Sequence, residues 1–438
     1  MKGRERWKVM SLELSEPLPE LCCESGYEGV RVVFLLKGVP LGHRRFSAAQ
    51  LPFSAQQLAN CAAQAVAPAA GARLLEEGFR PALPGLPEPP LQGPEQALQR
   101  LLALERPMDR LSNRLSEKPG DPPTTISVAV CTRERPAELS RCLSSLLASS
   151  QPPLEILVID NAPWSAAARD VVARFPGVRY HRESRPGLSA ARNAAMALAS
   201  GDIVAFADDD VVVHTEWVAR IRRCFGDPSV MVATGLVLPA ELETTAQLMF
   251  EETFQFFHQG YRGRRFDTKY FTALRAKGVP VWNVGAGANM AVRREAFDVG
   301  YHFDTRLGPG VFGGCGEDSE FWYRLLADGW SCVYEPSAFV YHFHRKELST
   351  LRHQVYEYMK GHVAALLLQF ANHGHAGNLR RLVLELPAEH LILLLRLVVT
   401  GFSLENRILL RGALGCLAGL RFAPSLRQGR APARRAYV

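Results

Sequence analysis

Three consecutive carboxylates, Asp208, Asp209 and Asp210, close an apolar segment that begins at residue 202. Like charges at such short range raise one another's pKa and destabilise the folded chain unless something compensates. A divalent cation compensates best, because Mg²⁺ and Mn²⁺ prefer oxygen ligands and Mg²⁺ commonly bridges carboxylates to phosphate oxygens. The alternative is an Asp-rich loop in which Asp210 or Thr215 caps the next helix. The triplet therefore predicts a metal site, with helix capping as the competing interpretation.

A second acidic group, Glu317 and Asp318, follows the glycines Gly313, Gly314 and Gly316. Glycines in such a run let the backbone approach a substrate closely. The pair also opens a predicted helix, where the helix dipole alone favours acidic residues. The pattern therefore suits either an acid pair in an active site or an ordinary helix start.

Two histidines, His342 and His344, lie two residues apart in a segment that predicts a strand. Residues at this spacing point to the same side of a strand, so we expect the two rings to lie together. Their competing interpretation is a pair of histidines hydrogen-bonded within the strand.

Short apolar runs that alternate with amphipathic helices must position these residues. This alternation is typical of a parallel sheet with crossover helices, and ligands bind such sheets beyond the carboxyl ends of the strands. Thr132, Asp160 and the triplet are therefore expected at one edge of the sheet. The predicted strands cover residues 126–132, 154–160, 178–183 and 202–208.

Four of these segments resemble family 2 glycosyltransferases with the GT-A fold. The matching pieces are VAVCTRERP, VIDNA (158–162), GLSAARN (187–193) and the Asp triplet, in the same order and spacing along roughly 220 residues. The resemblance implies an inverting glycosyltransferase that uses a nucleotide-diphosphate sugar of the UDP or GDP type as donor. It also implies Mg²⁺ or Mn²⁺ as the cofactor.

The resemblance implies a nucleotide site at the start of the domain. Thr132 and Arg133 would line the nucleobase pocket, and Asp160 would hydrogen-bond the base or ribose. Arg192 would contact the nucleotide or its diphosphate, a task that suits a rigid cationic fork. The alternatives are a strand-end aspartate at 160 and a solvated helix face at 192.

The chemical roles follow from the same resemblance. Asp208 would face the donor's ribose or sugar and, with Asp210, the metal, while Asp209 would contact the donor or buttress the other two. Within the Glu317 and Asp318 pair, Asp318 would accept the proton of the acceptor hydroxyl. His342 would complete the metal shell, with His344 as its substitute.

A glycine-rich segment, 282–290, matches the wall between donor and acceptor in the same family. Trp282 would stack on a sugar ring, and core packing explains that tryptophan equally well. The repeated glycines at Gly285 and Gly287 predict a loop that lies close against other groups.

The chain divides into three predicted parts in an α/β fold. Residues 1–115 form a small α+β accessory domain with a Pro-rich linker, residues 116–347 a GT-A type doubly wound mixed sheet with flanking helices, and residues 348–438 a helical region with a basic tail. The apolar C-terminal helices fit packing against the catalytic domain or peripheral contact with a membrane.

Composition excludes several classes. The chain has 438 residues, a net charge of +7 and nine cysteines without a CxxC pair, so we expect reduced thiols and no zinc site. No secretory signal is visible at the N-terminus, and no uninterrupted apolar run reaches membrane-spanning length. We expect a cytoplasmic protein, at the inner face of the cell membrane if the C-terminal helices bind lipid.

Rival functions make different demands on the sequence. A nucleotidyltransferase that forms a sugar nucleotide should carry a Gly-rich phosphate loop after its first strand, but residues 131–136 contain no glycine. A non-catalytic nucleotide-sugar-binding protein should lack the Glu317 and Asp318 pair. A nucleic-acid-binding protein should carry a module of basic and aromatic residues, and the sequence shows none. The acceptor class is left open among saccharides, lipid-linked sugars and small molecules.

Overall fold

The computed structural model describes residues 6–76, 107–116, 123–254, 259–401 and 403–423. The chain divides into two compact units. The first takes residues up to 121 together with 241–243 and 260–262, and the second takes the rest. Every residue predicted to do chemistry lies in the second unit.

The first unit is a three-stranded sheet with helices against it. Its strands are β1 (Trp7–Glu13), β2 (Gly29–Leu36) and β3 (Val39–Ser47), with β1 parallel to β2 and β2 antiparallel to β3. Helices α1 (Ala55–Glu76) and α2 (Pro107–Ser116) complete it. Val30, Val32 and Phe34 alternate along β2 into a core that α1 covers. This part is therefore α+β, as expected.

The second unit is built on a nine-stranded mixed sheet. Eight strands follow the order β10-β12-β9-β11-β7-β4-β5-β6, and the short β8 pairs with β12. The strands are β4 (Ile126–Thr132), β5 (Glu155–Asn161), β6 (Val178–Glu183), β7 (Ile203–Asp208), β8 (Val211–Val213), β9 (Val230–Pro239), β10 (Arg264–Phe266), β11 (Asn289–Arg293) and β12 (Ser331–His342). This order confirms the predicted mixed sheet.

Helices flank this sheet and then continue alone toward the C-terminus. They are α3 (Pro136–Leu147), α4 (Ala167–Val172), α5 (Leu188–Leu198), α6 (Trp217–Cys224), α7 (Thr245–Met249), α8 (Thr268–Leu274), α9 (Glu295–Asp298), α10 (Glu317–Ala327), α11 (Leu348–His373), α12 (Ala376–Arg380), α13 (Leu386–Thr400) and α14 (Leu404–Leu420). Two π-helical turns, Phe250–Phe254 and Arg381–Glu385, continue α7 and α12. The predicted helical C-terminal region is present.

Strand composition explains the position of the site. The central strands β4, β5 and β7 are apolar and almost fully buried, as expected for strands covered on both faces. They run parallel to one another, with Thr132 opposite Asp160 and Cys131 opposite Asp208. Their carboxyl ends therefore bring the predicted residues to one edge, as the sequence indicated. The strand that carries His342 runs from Ser331 to His342, so His344 lies just beyond its end.

The C-terminal helices bury one side and expose another. Helix α11 is buried from Val363 to Leu368, whereas the helical segments that follow it carry several exposed large apolar side chains. They are Val383, Leu384, Leu391, Ile392, Leu395, Leu414, Leu417 and Leu420. Within the described ranges, no helix has both the length and the apolar character needed to cross a membrane.

Candidate active site

The triplet lies in the turn between β7 and β8 and is held from two sides. Thr132, at the end of β4, donates its hydroxyl to Asp209 Oδ2 at 2.7 Å. Arg135 Nη1 donates to Asp209 Oδ1 and to Asp210 Oδ2, each at 2.9 Å. The next helix, α6, follows Glu216 and has no side-chain cap. The capping interpretation is therefore wrong, and the aspartates are held by groups of the strand edge instead.

Strand pairing brings His342 to Asp210. β12 pairs antiparallel with β8 so that His342 lies opposite Val211, the residue after the triplet. Phe343 N then donates to Asp210 O at 3.0 Å, and His342 Nε2 lies 3.2 Å from Asp210 Oδ1. Arg345 approaches Asp210 Oδ2 at 3.5 Å. One buried carboxylate thus meets an imidazole on one oxygen and two guanidinium groups on the other.

His344 lies beside His342, as the two-residue spacing predicted, but it faces away from the triplet. The Nδ1 atoms of the two rings are 2.9 Å apart, and His344 Nε2 is 3.2 Å from Glu251 Oε2. Burial lowers the pKa of His344, although Glu251 partly opposes this effect. Because both of its ring nitrogens have neighbours other than Asp210, His344 is poorly placed as a substitute metal ligand.

The triplet aspartates differ in charge preference. Burial raises the pKa of Asp209 above its ordinary value, although Arg135 opposes the rise. Burial would raise the pKa of Asp210 as well, but His342 and Arg135 outweigh it and hold that pKa below its ordinary range. For Asp208, burial raises the pKa against the influence of Arg192. Asp210 is therefore the member best suited to stay ionised and bind a cation.

The residues around Asp210 fit a divalent cation. Asp210 Oδ1 is buried and has no well-directed hydrogen-bond partner among the described residues. Its 3.2 Å separation from His342 Nε2 suits two neighbouring ligands of one octahedral cation at about 2.1 Å each. No group of three or more His, Cys, Asp or Glu within the described ranges is arranged to hold a metal alone. Phosphate oxygens and water would complete such a shell, which is the usual arrangement for Mg²⁺.

Arg192 connects the triplet to the acid pair. It projects from α5, is 2% exposed, and lies near the faces of Phe206 and Phe303. Its guanidinium contacts Glu317 Oε1 at 2.8 Å, donates to Gly287 O at 3.1 Å and approaches Asp208 Oδ1 at 3.9 Å. The alternative interpretation of Arg192, a solvated helix face, is therefore wrong. These contacts give Arg192 an internal position beneath the acidic groups, and its direct contact with a diphosphate stays a prediction.

Asp318 is the more accessible member of the acid pair. Glu317 is buried and bound to Arg192 and to Gly316 N. Asp318 is half-buried and, among the described residues, accepts hydrogen bonds only from Gly287 N at 3.0 Å and Ser319 N at 2.6 Å. Burial raises the pKa of Asp318 to about 6, with Glu317 adding to the rise and Arg192 opposing it. A carboxylate with such a pKa is ionised at neutral pH and still accepts a proton readily.

Gly287 has the close approach that its sequence pattern predicted. A Cβ there would lie 2.7 Å from Arg192 Nη2 and 3.0 Å from Asp318 Oδ2. Gly285, at φ +147, would likewise meet Thr234. The glycine-rich segment therefore lies directly against the acidic site. Trp282 contacts the ring of His362 and the guanidinium of Arg381, so the packing interpretation describes its surroundings.

The residues predicted to bind the nucleobase lie at the ends of β4 and β5. Asp160 is fully buried; its Oδ2 accepts from the Tyr180 hydroxyl at 2.8 Å, and its Oδ1 has no partner among the described residues. Arg133 lies over the exposed ring of Trp164 at 5.0 Å. Between them Glu134, at φ +54, accepts from Trp164 N and Ser165 N. This edge offers an acceptor, a cation and an aromatic face.

Several contributors have little sequence signal. Arg135 is one of three charged residues after Thr132, and a preference for pairing with the triplet could have singled it out. Glu251 comes from a π-helical turn that no local pattern predicts. Tyr180 is visible only as one alternating residue of β6.

Part of this chain is similar in sequence to known glycosyltransferases. Residues 127–300 match the family model described as Glycosyl transferase family 2. The succinoglycan biosynthesis protein ExoM of Rhizobium meliloti (strain 1021) is 26% identical over 229 residues, which cover 49% of this chain and 66% of that protein. The pre-mycofactocin glycosyltransferase of Mycobacterium tuberculosis (strain CDC 1551 / Oshkosh) is 27% identical over 227 residues, 51% of this chain and 43% of that protein.

The chain thus spans less than two thirds of the length of either relative. Among solved structures, the mannosyltransferase PcManGT from Pyrobaculum calidifontis in complex with GDP-Man and Mn²⁺ aligns with a TM-score of 0.43 and 15% identity. That alignment covers 77% of this chain and 86% of the mannosyltransferase.

Proposed function

We propose that this chain moves a sugar from a nucleotide-diphosphate sugar to an acceptor hydroxyl, with inversion and with a divalent cation. The match of residues 127–300 to the model of glycosyl transferase family 2 supports this proposal. The donor would be of the UDP or GDP type, and the cation Mg²⁺ or Mn²⁺. The acceptor would be a saccharide, a lipid-linked sugar or a small molecule.

One observation carries the proposal. The guanidinium of Arg192 reaches both Asp208, beside the metal residues, and Glu317, beside Asp318. The Asp triplet and the Glu317–Asp318 pair are more than 100 residues apart in sequence. They therefore meet around the buried guanidinium of Arg192. Sugar transfer needs charge stabilisation at the leaving group and a base at the acceptor, and this arrangement supplies both within one site.

The reaction is a single displacement. Asp318 accepts the proton of the acceptor hydroxyl as its oxygen bonds to the anomeric carbon, while the bond from that carbon to the diphosphate oxygen breaks and its electron pair leaves with the diphosphate. A cation held by Asp210 and His342 would stabilise the departing charge. Attack from the face opposite the diphosphate inverts the anomeric centre.

The remaining residues hold the donor. Asp160 Oδ1 would accept a hydrogen bond from the base or ribose, since a buried carboxylate oxygen without a partner is otherwise costly. Thr132 and Arg133 would line the base, and Trp164 extends that wall with an exposed ring. Asp208, which is 32% exposed, would face the ribose or sugar.

We also propose that the C-terminal helices make peripheral contact with the inner face of the cell membrane. Leu384, Leu391 and Leu395 recur at helical spacing on one exposed stripe of α13 and the turn before it. Exposed apolar surface of this kind marks interaction sites. The sequence from Arg421 onward adds five arginines and no acidic residue, which favours anionic headgroups.

A panel of nucleotide sugars tests the transferase proposal. We expect one UDP- or GDP-sugar to raise the melting temperature only when Mn²⁺ or Mg²⁺ is present, and to be hydrolysed slowly without acceptor. The D318N variant should keep that stabilisation and lose transfer by roughly 10²- to 10⁴-fold, because a general base contributes about that much. No stabilisation by any donor, or undiminished transfer by D318N, would contradict the proposal.

Vesicle flotation tests the membrane contact. The wild-type chain should float with anionic vesicles and less with neutral ones, and the triple variant L391S/I392S/L395S should float less with both. The matched variant L75S, at an exposed leucine of the first unit, should behave as wild type. Equal flotation of the triple variant and wild type would remove these helices from the contact.

A further inference from the structure

Behind His342 lies a buried chain of polar contacts, of which only Asp210 and His342 have a part in the reaction described above. It runs from Asp210 through His342 and His344 to Glu251, and all four residues are at most 7% exposed. Its successive separations are 3.2 Å, 2.9 Å and 3.2 Å. A carboxylate therefore lies at each end of a pair of imidazoles, and each ring nitrogen of the pair lies near a polar group.

We infer that Glu251 and His344 are positioning residues that fix the tautomer and orientation of His342 for cation binding. This inference rests on the proposed metal site of the glycosyltransferase. Its basis is the geometry of the chain of contacts, in which each residue determines what its neighbour donates or accepts.

The order of donors follows from the end at Glu251. An ionised carboxylate only accepts, so the His344 nitrogen that faces it, Nε2, carries the hydrogen. A neutral His344 then has an acceptor at Nδ1, which faces His342 Nδ1 at 2.9 Å. His342 therefore keeps a hydrogen on Nδ1, which leaves Nε2, the nitrogen on the Asp210 side, to offer its lone pair to a cation. That lone pair is the one a cation needs.

The segment that supplies Glu251 is built around His344. Thr244 begins this segment, its side chain accepting from Gln247 N, and Gln247 Nε2 donates to the backbone oxygen of His344 at 3.0 Å. The helix then turns π-helical at Phe250, whose ring lies 4.6 Å from that of His344, and Glu251 follows. π-Helical turns are rare and often occur at functional sites. Here the helix and the π-helical turn that follows it together contact both the backbone and the ring of His344.

Mn²⁺ binding measures this role without any transfer reaction. Free Mn²⁺ is quantified by its electron paramagnetic resonance signal, and modulation of the electron spin echo reports a coordinated imidazole nitrogen. We expect wild type to bind Mn²⁺ with an imidazole signal. The E251L variant should bind Mn²⁺ about 10- to 100-fold more weakly and lose most of that signal, the usual cost of removing a group behind a ligand.

Graded variants separate orientation from folding. E251Q keeps a weaker acceptor, so its Mn²⁺ affinity and imidazole signal should lie between those of wild type and E251L. If E251L does not fold, E251Q still tests the inference. The matched control is E252L, because Glu252 is exposed and adjacent in sequence. A wild-type Mn²⁺ affinity and a full imidazole signal in E251L and E251Q, with binding weakened by D210N, would overturn this inference alone. No Mn²⁺ binding by wild type would overturn the metal part of the proposed function as well.

Discussion

The pH dependence of transfer depends on Asp318. Burial and the neighbouring Glu317 raise its pKa to about 6, and a base must be ionised to accept a proton. Because this carboxyl is protonated below its pKa, activity should be lost as the pH falls through about 6. At pH 5 only about one molecule in eleven would be ionised, so kcat/KM should lie roughly tenfold below its plateau.

The perturbation that tests the cause is E317Q. Removing the negative charge beside Asp318 leaves Arg192 unopposed, so the pKa of Asp318 should fall and the acid limb should move to lower pH by up to about one unit. kcat/KM should be measured from pH 4.5 to 8 under saturating cation, since this ratio reports the free enzyme. The matched control is E295Q, at an exposed glutamate of α9.

Two results would refute this reasoning. One is a profile that stays flat between pH 5 and 7, because the base would then have an ordinary carboxylate pKa. The other is an acid limb that E317Q leaves in place, because the elevation would then not depend on that neighbour.

Two further predictions concern the surroundings of Asp318 and Asp210. G287A should lower both the melting temperature and kcat, because its Cβ would lie 2.7 Å from Arg192 and 3.0 Å from Asp318. G263A should resemble wild type, because its Cβ would make an ordinary contact with Tyr334 O at 3.7 Å. Equal effects in the two variants would contradict this. R135Q should lower the melting temperature of the metal-free protein more than that of the Mn²⁺-saturated protein, because Arg135 neutralises Asp209 and Asp210 when no cation does so. The exposed R169Q should change neither, and an equal loss with and without Mn²⁺ would refute the proposed compensation.

The central sheet was predictable because its strands carry a strong local signal. The runs at 126–132 and 178–183 match β4 and β6 residue for residue, and those at 154–160 and 202–208 match within one residue. Long-range pairings carry no such signal. The contact between His342 and Asp210 depends on β12 pairing with β8, whose three valines read as a continuation of β7.

The candidate site was predictable in its residues and less so in their contacts. The alanines around Arg192 indicated burial, yet its partner Glu317 is 125 residues away and could not be assigned. Glu251 joins His344 across 93 residues from a π-helical turn, so neither its position nor its role follows from spacing. Spacing therefore identifies residue types at strand ends, and tertiary packing decides which charges meet.

The bond between Arg192 and Glu317 also bears on how the chain can be divided and synthesised. Arg192 lies on α5, among strands β4 to β7, and its counter-ion Glu317 follows these elements by more than 100 residues. A nascent chain or fragment that ends at residue 300 would bury a guanidinium without Glu317, at a cost of about 3–5 kcal/mol for a broken buried pair. We therefore expect the nucleotide half to stay protease-sensitive as an isolated fragment and to become resistant once α10 has been added.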